Sequence, residues 1–179
     1  MSKRARNLRY LRGMAESLGL SPHWSKTERY EALSNRWRAL LGEEPNRTAN
    51  LANAAAVLKE AFDWHWVGFY LVDPVRDELV LGPFQGPIAC TRLHHGKGVC
   101  AAAWDERTVQ LVPDVHAFAG HVACSSLTES ELVIPLVVEG EVVAVLDIDS
   151  VVRDDFSDDD VMGLTPLVDV LTEHWNAWE

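Results

Sequence analysis

The spacing of hydrophobic positions changes several times along the chain. Tyr30, Leu33, Trp37, Leu40 and Leu41 recur at helical intervals behind Ser25-Lys-Thr-Glu28, which has the form of a capping box, and Gly42 is placed to end that helix. A second stripe, Leu51, Ala55, Leu58 and Phe62, predicts a helix over 48–62. The period then falls to two. Residues 66–72 and 78–82 predict strands around a turn at Asp73-Pro74, and residues 108–112 predict a third. Residues 132–138 and 141–148, joined by Glu139-Gly140, predict a hairpin; Pro135 in its first arm marks an edge or a bulge. The chain closes on a helix capped by Ser157-Asp-Asp-Asp160, with Val161, Leu164, Leu167, Val168 and Leu171 facing inward and Pro166 expected to kink or break it. This order predicts an α+β fold: one domain over 25–179, with a mainly antiparallel sheet flanked by helices.

Two long stretches, 83–104 and 113–130, interrupt the strands, and loops of that length in a compact domain usually carry function. All three cysteines, Cys90, Cys100 and Cys124, fall in them. An odd number of cysteines in a chain whose basic start does not read as a secretory signal does not suggest a disulfide framework. Buried inert thiols, a metal site or redox chemistry remain. Residues 1–24 form a basic extension in which Lys3, Arg4, Arg6, Arg9 and Arg12 outweigh Glu16, a net of +4, so the rest carries −15 of the total −11. A body this acidic repels phosphate backbones, which argues against nucleic acid as the main ligand. No apolar run approaches the length of a membrane span, and a cytoplasmic location is expected.

The loops concentrate reactive side chains. Gly82-Pro-Phe-Gln-Gly-Pro-Ile-Ala-Cys90 and Gly96-Lys-Gly-Val-Cys100 each reach a cysteine through glycine turns, and a helix is expected from Ala101. A thiol at such a helix start can have a lowered pKa. Asp114-Val-His116 and Gly120-His-Val-Ala-Cys124 lead to the third thiol, and Glu131 follows. Asp147 and Asp149 end an apolar strand on one face, because side chains alternate. A thiolate attacks an electrophilic sulfur, crowded carboxylic acids protonate the departing oxygen, and a second thiol resolves the sulfenic acid as a disulfide. Plainer readings compete: an inert core cysteine, aspartates that solvate a strand end, and Trp66 and Tyr70 packed in the core beside Val67 and Phe69. Cys90, His94, His95 and Cys100, or His116, His121 and Cys124, have zinc-ligand chemistry but no compact finger spacing.

The segments Trp66-Val-Gly-Phe-Tyr70, Leu81-Gly-Pro-Phe-Gln-Gly86, Ala89-Cys90, Gly96-Lys-Gly-Val-Cys100, Pro113-Asp-Val-His116, Gly120-His121, Ala123-Cys124, Ser130-Glu131 and Val145-Leu-Asp-Ile-Asp-Ser150 closely resemble the free methionine-R-sulfoxide reductases, a catalytic branch of the GAF family. The resemblance runs in order from about Lys26 to the last helix. It implies Cys124 as nucleophile, Cys90 as resolving thiol and Cys100 as relay or alternate partner. It implies that Glu131, Asp147 and Asp149 polarise the sulfoxide or hold the substrate ammonium, and that Trp66 and Tyr70 wall the pocket. It further implies no prosthetic group, recycling by thioredoxin or a similar dithiol, and a homodimer. The chain departs from the family pattern at His94-His95, Ala101, Ser125 and Glu129. The competing reading is a non-catalytic GAF sensor, which has no need for three loop cysteines beside three acids.

Overall fold

A computed structural model describes residues 18–21, 23–41, 44–122 and 124–179. Most of the basic extension, the Gly42 helix stop and Ala123 lie outside these residues. The elements are α1 (Lys26–Leu41), α2 (Arg47–Phe62), β1 (Trp66–Asp73), β2 (Glu78–Gln85), β3 (Arg92–Leu93), α3 (Val99–Glu106), β4 (Gln110–Val112), β5 (Ser130–Val138), β6 (Glu141–Ser150) and α4 (Asp158–His174). Every strand pairing is antiparallel, in the order β3-β2-β1-β6-β5-β4. The α+β reading holds.

Local chemistry accounts for the element ends. The Ser25 N–H donates to Glu28 at 2.8 Å while the Glu28 N–H donates to the Ser25 hydroxyl at 3.3 Å, so α1 opens on the reciprocal box. The α2 start is capped by Asn46, one residue earlier than the apolar stripe suggests. Glu139 and Gly140 both have positive φ, 53° and 86°, as a two-residue turn of the β5–β6 hairpin requires. Pro135 lies in β5 opposite Val145 of β6 and beyond the last residue paired with β4, Val133, where β5 has no neighbour on that side; a bulge follows at Leu136/Val137. Helix α4 runs through Pro166 without a break.

Two strand expectations were too short or absent. β2 continues to Gln85 because an irregularity opposite Gly68–Tyr70 absorbs an extra residue, so the Gly82-Pro83 pair does not end the strand. β3, two residues long, is too short for periodicity to detect. By contrast, the 108–112 expectation contracts to Gln110–Val112.

The sheet has two different faces. Val67, Phe69, Leu132, Ile134, Leu136, Ala144, Leu146 and Ile148 form one with the helices α1, α2 and α4 over it, the main core. Tyr30 of α1 donates its hydroxyl to buried Asp160 of α4 at 2.8 Å, which ties those two helices together. The other face carries Trp66, Tyr70, Val133 and Val145 and is covered by α3 and the two long loops. The functional side chains lie on this second face. Among the described residues, no helix is long and apolar enough to cross a membrane.

Candidate active site

Strand register assembles the acids. On β6, Asp147 and Asp149 point to the second face with Val145. Glu131 of β5 pairs directly with Asp149, while on β1 Gly68 pairs with Asp147 and Trp66 with Asp149. The three carboxyl groups therefore share one small region of the sheet, and Glu131 and Asp147 are each only 6% exposed. Cys100, in the first turn of α3, packs onto them, its Sγ within 4.8 Å of an oxygen of Glu131 and of Asp147.

The aromatic side chains fix the cysteine loop. Trp66 folds over Gly68, where a Cβ would lie 2.6 Å from the indole Cη2, so only glycine leaves room for this ring. The ring stacks on Tyr70 (centroids 6.0 Å apart) and Phe84 (5.3 Å). Its Nε1–H donates to the Pro87 carbonyl at 3.1 Å, and the Tyr70 hydroxyl donates to the Cys90 carbonyl at 2.9 Å. The segment carrying Cys90 is thus held against β1. The second loop reaches it from the other side: the Gly98 N–H donates to the Gly120 carbonyl at 2.9 Å, and Val122 packs on Gly98. Here Cys124 comes to lie beside Cys90, close enough for the two thiols to influence each other's ionisation.

These parts enclose a cavity of about 30 Å³ lined by Tyr70, Cys100, Cys124, Glu131, Asp147 and Asp149, with Lys97, His121 and Thr128 also on its walls. Trp66 does not line it; the indole stands one ring back, behind Tyr70, and supports the wall rather than forming it. Cys90 does not line it either and meets Cys124 at its margin. A larger groove around His95, Trp104 and Trp175 contains no thiol, so its size does not make it the centre of thiol chemistry.

Burial dominates the electrostatics. It holds Glu131 and Asp149 well above the usual carboxylate range, with the Asp147 charge adding to both shifts. Asp147 rises to about 6, moderated by bonds from Cys100 and Glu131. One of its oxygens, Oδ1, is buried without a hydrogen-bond partner among the described residues. The Cys100 thiol was expected to acidify at a helix start, and the structure reverses this: burial, then the charges of Asp147 and Glu131, push it well above its normal value. A helix dipole is a fraction of a charge, whereas Cys100 faces two carboxyl groups in a dry site. Cys124 is exposed as a residue, yet partial desolvation of its sulfur on the cavity wall, with Cys90 beside it, pushes the thiol up to about 12.

Raised carboxyl values have a stability consequence. These acids bind protons more tightly in the folded protein than in the unfolded chain, where carboxylates titrate near 4. Their contribution is full below that value and falls as pH rises through the folded-state values, beginning in the window up to about 6 where Asp147 ionises. Glu131→Gln removes an ionisable group from the cluster. It is expected to raise Tm at about pH 8 and to change it little at about pH 4. Thermal denaturation at the two pH values checks this; a lower Tm at the higher pH contradicts it.

Other candidates disperse. His95 stacks on Trp104 at 3.6 Å and is bonded to Asp105 and Asp77, and His116 faces Glu129 at 3.6 Å. Neither zinc-like set from the sequence forms a cluster among the described residues. Glu129 turns away from the cavity to Arg153 (3.1 Å), and Ser125 lies 3.2 Å from His65. Thr128, which bonds Asp149, carried no sequence signal because a lone threonine in a loop has no distinctive spacing. Gly68 was visible only as part of a motif.

The GAF domain family matches residues 47–173. A free methionine-R-sulfoxide reductase of Escherichia coli K12 is 48% identical over 145 residues, covering 80% of this chain and 87% of that protein. The chain belongs to the free methionine-R-sulfoxide reductase branch of the GAF domain family. GAF domain-containing protein A of Dictyostelium discoideum is 51% identical over 158 residues, covering 88% of this chain and 99% of that one. The solved structure of the Neisseria meningitidis reductase in complex with its substrate superposes with a TM-score of 0.85 at 46% identity, covering 88% and 95% of the two chains.

Proposed function

We propose that this enzyme reduces free methionine-R-sulfoxide to methionine with Cys124 as the attacking thiol and Cys90 as the resolving thiol. The observation that carries the reading is a cavity on which Cys124 shares the wall with three buried acids, Glu131, Asp147 and Asp149, with a second thiol, Cys90, beside it. Glu131 and Asp149, whose burial favours the protonated form, hydrogen-bond the sulfoxide oxygen and draw electron density from sulfur. The Cys124 sulfur attacks that centre as Asp149 protonates the oxygen; the S–O bond and the transient bond between the two sulfurs then break as the hydroxyl passes to Cys124, giving its sulfenic acid and methionine, while the carboxylate takes up the thiol proton in return. The Cys90 thiol then attacks the sulfenic sulfur, forming the disulfide and water. A dithiol reductant, thioredoxin or an equivalent, returns both thiols and is itself oxidised to a disulfide.

Asp147, which ionises first, suits the substrate ammonium, and its unpartnered Oδ1 supplies the acceptor. An ammonium requirement explains why the free amino acid is the substrate, since a peptide-bound residue has an amide there. Cys124 is exposed at the cavity wall, so substrate reaches it from the solvent side. Three free thiols suit a reducing cytoplasmic compartment, and the family resemblance extends the proposal to a homodimer without a prosthetic group.

Purified protein with a dithiol is expected to turn over the free R epimer and to show little activity on the S epimer or on a sulfoxide within a peptide. Methionine release followed by chromatography tests this. Equal rates on free and peptide-bound sulfoxide would sink the ammonium argument.

A further inference from the structure

Cys100 is a buried thiol that the proposed reaction does not use. Its Sγ and one carboxylate oxygen each from Glu131 and Asp147 lie within 4.8 Å of one another. Among the described residues, no other group of three cysteine, histidine or acidic side chains comes as close. Two further observations point to a missing electron-pair acceptor. Asp147, 6% exposed, aims an unpartnered Oδ1 into this region, and His121 on the same cavity wall has a buried Nδ1 with no partner among the described residues. Of the described residues, no arginine lines the cavity, and its one lysine, Lys97, is exposed. Protons alone neutralise the cluster.

We infer that Cys100, Glu131 and Asp147 form a binding site for one thiophilic divalent cation, with Zn²⁺ as the best fit. A thiolate with two carboxylate oxygens is a borderline-soft donor set of the kind zinc takes with three protein ligands and an open position. Mg²⁺ and Ca²⁺ require more oxygen donors than the cluster offers. The three donor atoms lie within 4.8 Å of one another on the cavity wall, close enough to converge on one ion. On coordination the Cys100 thiol and the protonated acid release their protons to water, and the cation takes over their neutralising role. The same carboxyl groups are those assigned to the sulfoxide and ammonium, so, resting on that reading, the cation excludes substrate and acts as a reversible inhibitor.

The test is calorimetric titration of Zn²⁺ into the fully reduced chain, into Cys100→Ser, into Glu131→Gln and into the double variant Cys90→Ser/Cys124→Ser. One Zn²⁺ per chain is expected, retained in the double variant and weakened at least about tenfold in Cys100→Ser, with Glu131→Gln also weakened. Co²⁺ in place of Zn²⁺ should show a thiolate-to-metal charge-transfer band that disappears in Cys100→Ser, a readout independent of turnover. Absence of binding, or loss of the ion in the double variant with retention in Cys100→Ser, overturns the site; the latter result places the ion on the Cys90–Cys124 pair. Methionine-R-sulfoxide added to the inactive double variant should lower the apparent Zn²⁺ affinity. If Zn²⁺ binds through Cys100 and sulfoxide does not compete, the cation site stands and the assignment of substrate to this cavity fails.

Discussion

Replacing Cys124 with serine is expected to abolish methionine formation, including the first equivalent released without any reductant. Cys124 and Cys100 both line the cavity, but it is Cys124 that has Cys90 as its neighbour. A nucleophile that becomes a sulfenic acid needs such a neighbour, because a disulfide forms only when the Cα atoms come within about 7 Å. Cys90→Ser should therefore release one methionine per site and stop at sulfenic acid. Cys100→Ser should retain a full first turnover. Quench-flow methionine release, with mass spectrometry of the oxidised residue, reads all three. Should Cys124→Ser still release an equivalent while Cys100→Ser releases none, the nucleophile is Cys100 and Cys124 is not the attacking thiol.

Removing the acid proton is the second large effect. Asp149→Asn keeps the side chain's size and its place opposite Glu131, and it replaces a group that burial keeps protonated with one that cannot transfer a proton. Turnover is expected to fall by a factor on the order of 10² to 10⁴. The loss should appear in kcat, since proton donation matters chiefly as the S–O bond breaks. Asp147→Asn should instead raise KM most, because the ammonium then loses its counter-charge. Steady-state kinetics on both variants separates the roles. An Asp149→Asn enzyme with unchanged kcat would remove Asp149 as proton donor and leave Glu131 as the candidate.

Periodicity along the sequence by itself determined the helices, the hairpin and the α+β class, because those patterns reflect which side chains must leave water within one short segment. Period two alone places Asp147 and Asp149 on one face, and the ordered motifs point to the family. Whether Glu131 joins those aspartates depends on the β5–β6 register, a property of two strands that no single segment encodes. The approach of Cys90 to Cys124 depends on contacts made by Trp66, Tyr70 and Gly98 from three other parts of the chain. The sign of the Cys100 shift could not be read locally either: a helix start argues for an acidic thiol, and only burial and the packed acids reverse it. Short-range pattern thus specified the elements, whereas desolvation and cross-strand neighbours, which exist only after folding, decided the chemistry of the site.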